Sequence, residues 1–206
     1  ITKGRKPMHE DLSGAELKER IALIESMISE GRRTTENWGW VFVLWGVAYY
    51  VAIAWSVWGN PELAWVVTML AAMVLTGVLA SVKRRGQHET TMGRAVGAIW
   101  ASMGISLFVL LVSLGMAGRH DTLLFIAIIG AMLGMANAAS GVLLRWKMQL
   151  ACAVAWWASA VLACFGPEKT GDTAFLVAIF FCQIVFGLYA MRLEARRRGK
   201  GGVVHA

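Results

Sequence analysis

Charge is scarce in this chain. Only 16% of its 206 residues are Asp, Glu, Lys or Arg, against 57% hydrophobic residues, whereas a soluble domain carries about a quarter charged residues. The shortage is also uneven. Six stretches, roughly 38–58, 63–82, 95–117, 122–144, 149–165 and 173–191, contain no Asp, Glu, Lys, Arg or His. Crossing a bilayer takes about 20 consecutive apolar residues, so each stretch is a candidate span. The fifth is the shortest. Period-two alternation is absent, which excludes a barrel. Backbone polar groups in hydrocarbon must pair within their own segment, so the spans are predicted to be helices.

Other absences remove whole classes of chemistry. His9, His88, His120 and His205 all fall outside the spans, so no intramembrane histidine could ligate a haem. Without an intramembrane carboxylate or base there is no charged proton relay or ion-coupling site. Cys152, Cys164 and Cys182 lack paired metal spacing and read as small packing residues. No nucleophile-plus-base constellation and no Gly-rich phosphate loop is visible. The expectation is a protein that is not an enzyme and holds no cofactor or metal.

The first 37 residues show no early apolar region, so no cleavable signal is expected and span one would act as an uncleaved anchor. Met8 would be a natural start, and residues 1–7 are assigned no structural role. The links near Gly59-Asn60-Pro61, 118–121 and 166–172 are too short to build a domain on their side.

What charge there is sits mostly on one side. Lys3, Arg5, Lys6, Lys18, Arg20, Arg32 and Arg33 precede span one. Lys83, Arg84, Arg85 and Arg94 follow span two, and Arg145 and Lys147 follow span four. Arg192, Arg196, Arg197, Arg198 and Lys200 follow span six. With six spans these segments share a side, and only Arg119 and Lys169 lie opposite. By the positive-inside rule both termini are cytoplasmic, in the cell (plasma) membrane. The net charge of +7 then reflects topology and an attraction to anionic lipid headgroups, and nucleic acid is not an expected partner. Arg32-Arg33 followed by Trp38-Gly39-Trp40 at the entry to span one resembles bacterial inner-membrane multi-pass proteins in general, and implies no activity.

Residues 1–37 form a cytoplasmic segment, with an amphipathic helix predicted at about 13–33. Ser13 and Glu16 make a capping box. Leu17, Ile21, Ile24 and Ile28 form one apolar stripe at spacings of four, three and four. The stripe suits either the membrane surface and the protein's own loops, or a partner helix. Residues 192–206 are expected to be a basic tail.

Trp45, Trp100 and Trp157 recur at separations of 55 and 57 residues in the odd spans, and Asp121-Thr122 and Asp172-Thr173 open spans four and six. These echoes suggest three helical hairpins of common design, a parallel repeat. Small residues recur at spacing four: Thr68, Ala72, Thr76 and Ala80; Ala98, Ser102 and Ser106; Ala151, Ala155, Ser159 and Ala163. Gly130 and Gly134 form a GxxxG, and with Asn137 and Gly141 they fall within a sector of about 60°. Such faces let helix backbones approach. Asn137 is therefore expected to bond across to a threonine of span two or to Gln183. Alternatively Asn137, Gln183, Ser102, Ser106 and Thr76 line a polar cleft.

Two functions fit. The first is a non-enzymatic subunit, scaffold or regulator that works through helix association, as a homo-oligomer or with another membrane protein. The second is a channel or facilitator for a neutral or weakly polar solute.

Overall fold

The computed structural model describes residues 14–84, 90–119 and 121–202. The expected cap Ser13, the basic residues Lys3, Arg5, Lys6 and Arg85, and all four histidines lie outside them. The described chain is all helix: α1 Gly14–Asn37, α2 Gly39–Trp58, α3 Pro61–Arg84, α4 Thr91–Met116, α5 Thr122–Leu143, α6 Lys147–Phe165, α7 Glu168–Ile179 and α8 Phe186–Gly202. A π-helical stretch, Phe180–Val185, joins α7 to α8 without a break. Six helical stretches are long and apolar enough to cross a membrane. The basic segment after span six stays helical to Gly202, supported by an i,i+4 pair between Glu194 and Arg198.

Local chemistry sets the helix ends. Asn60 Oδ1 accepts from Leu63 N at 3.1 Å with Pro61 at the first helical position. Thr90 caps α4 through Gly93 N, and Asp121 caps α5 through Leu123 N and Leu124 N. Asp172, its expected counterpart, lies inside α7 instead; the turn at Pro167 starts that helix earlier, so this part of the repeat fails.

Two helices close with the same pair of bonds. At α4, Arg119 N reaches Leu114 O and Gly118 N reaches Gly115 O, with Gly118 at φ +68°. At α5, Trp146 N reaches Gly141 O and Arg145 N reaches Val142 O. Here a non-glycine residue, Arg145, takes φ +48°. Arg145→Gly should therefore raise stability by about 1 kcal/mol, read as a higher melting temperature in detergent; an unchanged or lower value would show that the arginine side chain offsets its backbone strain.

Consecutive spans pack as the predicted hairpins, but the most extensive interface joins α5 to α6, across a hairpin boundary. Burial follows: 39% of the α5 and α6 spans is buried, against 11% of α3 and α4. The core is α2, α5, α6 and the α7–α8 helix, with α3 laid on α2 and α4 on α5. Aromatic rings stitch it together. Phe42 meets Trp100 and Phe186, Trp146 meets Phe186, and Tyr49 bridges Trp65 and Phe175.

The basic end of the bundle is held by the last turns of α1. Arg32 Nη2 donates to Leu144 O at 2.9 Å and Arg145 O at 2.8 Å, the carbonyls just past the end of α5. Gly31 lies against Met92 and Leu144. Arg32→Ala should loosen α1 by about 1.5–3 kcal/mol, seen as faster amide exchange across 26–37 than in the wild-type protein.

Candidate functional site

The polar residues of the spans do not assemble into one cleft. Asn137 is fully buried, yet its Nδ2 donates at 2.8 Å to Leu133 O of its own helix, and its Oδ1 has no partner among the described residues. The bond expected across to span two or Gln183 is not made. An asparagine amide can satisfy the i−4 carbonyl at no cost in packing, and the close approach of α6 leaves it little room to reach elsewhere. Gln183 is buried elsewhere, with Gly46 of α2 against its Cβ. Ser102 and Ser106 are exposed on the outer face of α4, because Val96, Met103 and Leu107 take the inner face. Thr76 is half-buried, donating to Ala72 O and accepting from Trp45 Nε1 at 3.2 Å.

Gly130, Gly134 and Gly141 all face α6. A Cβ at Gly130 would stand 2.9 Å from Trp156 O and 3.2 Å from Ala160 N, and one at Gly141 3.0 Å from Leu150 N; the Trp157 indole covers Gly134. A second seam has no signature in the sequence. Gly39 and Gly187 meet backbone to backbone between α2 and α8.

The spaced tryptophans diverge. Trp45 and Trp100 each donate to a hydroxyl on the following span, Thr76 and Ser140. Trp157 is 43% exposed, and the buried ring in its turn is Trp156, whose Nε1 has no partner among the described residues. The first two hairpins thus share a contact that the third lacks. Trp100→Phe should cost only about 0.6 kcal/mol, the average for hydrogen bonds between membrane helices, measured by unfolding in detergent; a loss of several kcal/mol would mean the indole carries the α4 interface.

On α6, Gln149, Trp156 and Ser159 share one buried face with polar atoms that have no partner among the described residues, and Asn137 Oδ1 adds another from α5. On α1, Leu17, Ile21 and Ile24 are about half exposed and only Ile28 turns inward. The docked part of α1 begins near Gly31.

A polar constellation does form where the last turn of α1 meets α8. A cavity of about 340 Å³ is lined by Arg33, Glu36, Asn37, Glu194, Arg197 and Arg198. Glu36 is 1% exposed. Arg197 Nη2 donates to its Oε1 at 3.0 Å, and Nε stands 3.0 Å from Oε2 without hydrogen-bond alignment. Burial raises the Glu36 pKa, outweighing the opposing pull of Arg197, Arg32 and Arg33. The only hint in the sequence is an acid one residue short of the first apolar run and another amid basic ones. Among the described residues no group of His, Cys, Asp or Glu could hold a metal ion.

Comparison with protein families, curated proteins and solved structures finds no match for this chain.

Proposed function

We propose that this is a non-enzymatic membrane protein that acts through association, as a subunit, scaffold or regulator, and that it self-associates in the cell membrane with both termini cytoplasmic. The observation that carries this reading is the outer face of α4. Ala98, Ser102 and Ser106 repeat there at spacing four, all exposed. Small residues promote close helix approach in lipid, and no described helix of this chain uses these. The uncovered stripe on α1 supports the same reading, and the basic end would face anionic headgroups of the inner leaflet.

A Ser102→Cys variant in a background lacking Cys152, Cys164 and Cys182 tests it. Oxidation in native membranes should yield a disulfide-linked dimer, and Phe108→Cys, exposed about 120° around α4 from Ser102, should not crosslink above background. A chain that remains monomeric in both variants, and monomeric by single-molecule photobleaching, would end the proposal.

The second reading, a facilitator for a neutral solute, draws on the orphaned polar atoms of Gln149, Ser159 and Asn137. Flux of a small neutral solute into liposomes should be lost in Asn137→Leu and Gln149→Leu if they line a path. On the association reading, flux is absent throughout and Asn137→Leu keeps the wild-type stability to within about 1 kcal/mol.

A further inference from the structure

We propose that the cavity between α1 and α8 is a binding site for a single phosphate group, of the kind carried by a phospholipid headgroup or by free phosphate. The proposal does not depend on self-association.

The charge balance inside the cavity points to an anion. Glu36 is held by Arg197 and Glu194 by Arg198. Arg33 also lines the cavity and makes no direct ion pair or hydrogen bond among the described residues, although its charge acts on Glu36. Three arginines thus face two glutamates in the lining, a surplus of one positive charge, and a phosphodiester carries one negative charge. Guanidinium groups present their N–H donors in a fork that matches two phosphate oxygens. Asn37 adds an amide to the same wall. The two glutamates limit the site as well. They hold Arg197 and Arg198 in place and oppose a more highly charged ligand.

The volume, about 340 Å³, admits a phosphate with its glycerol attachment. The cavity also adjoins the start of the first span. Asn37 is followed by Trp38, whose ring stacks on Trp40 with centroids 6.2 Å apart, and Gly39 begins the first span. Tryptophans at a span end mark the headgroup level. A phosphate here would tie the last turn of α1 to the extension of α8, where Glu36 and Arg197 already join them.

The test uses the full chain in a neutral detergent and three probes: dioctanoyl phosphatidylglycerol, dioctanoylglycerol without phosphate, and inorganic phosphate. Binding is read by native mass spectrometry and calorimetry. The phosphate-bearing lipid should bind and the phosphate-free one should not. Arg33→Gln should weaken binding about tenfold, and Arg33→Lys should retain part of it. Arg196→Gln, which removes an equal charge outside the cavity, should change it by less than about twofold. If inorganic phosphate competes, the ligand is a free anion; if it does not while the lipid binds, the ligand is a headgroup. Equal losses in Arg33→Gln and Arg196→Gln would reduce the effect to diffuse charge and overturn the site. So would equal binding of both lipids, or binding of none of the probes.

Discussion

Gly187→Leu should separate α2 from α8 and strip the bundle of a close backbone contact between helices. A Cβ at Gly187 would stand 2.7 Å from Gly39 O and 3.0 Å from Val43 N. A Cβ at Gly39 would stand 2.8 Å from Gly187 O and 3.0 Å from Met191 N. These are backbone atoms, so no side chain can swing aside. Lipid gives no hydrophobic drive to bring the helices back together, and the lost packing is not replaced. Gly187→Ala should cost about 1–3 kcal/mol, as overpacking commonly does, and Gly187→Leu more. Gly104→Ala is the comparison, because nothing lies within 4 Å of its added Cβ, and it should be neutral. The measurement is reversible unfolding in mixed micelles. Gly187→Ala as stable as Gly104→Ala would mean that α2 and α8 do not approach as described.

The second large effect is an asymmetry within one ion pair. Arg197→Gln leaves Glu36 buried without its partner, while Glu36→Gln leaves a half-exposed arginine that water can solvate. Removing one member of a buried pair costs about 3–5 kcal/mol. Exposure of Arg197 screens the pair, and about 2 kcal/mol is expected for Arg197→Gln, under about 1 kcal/mol for Glu36→Gln. The double variant should recover most of the loss.

Acidity gives a further check. The folded-state pKa of Glu36 is raised by burial, so the folded protein binds this proton more tightly than the unfolded chain does. Glu36 therefore lowers stability as pH rises through that raised value, and the loss is regained on acidification toward the ordinary carboxylate range. Arg197→Gln removes the largest opposing influence and should steepen this dependence, whereas Glu36→Gln should abolish it. Parallel stability-against-pH curves for the wild-type protein and both variants would exclude the pair as described.

The six spans and their approximate limits could be read directly from the chain, because the solvent dictates them. Hydrocarbon accepts only long uncharged helices, and lysine and arginine must lie beyond their ends. The shared face of Gly130, Gly134, Asn137 and Gly141 was legible too, since helical periodicity places residues relative to their own axis. What periodicity cannot supply is the neighbour. In a soluble helix the apolar stripe points to the core, but a span is apolar all round and its sequence carries little sense of inside and outside. Ser102 and Ser106 therefore turn outward although they share the spacing of a packing face. Asn137 bonds to its own helix, and the most extensive interface joins α5 to α6 across two expected hairpins.

Only tertiary structure could pair Gly39 with Gly187, since neither has a spacing signature and they lie far apart in the chain. Only tertiary structure could bury Glu36 under Arg197 and set Arg33 beside them without a direct contact. The medium is a property of each segment's composition, whereas contacts between segments depend on how whole surfaces fit, which no local pattern records.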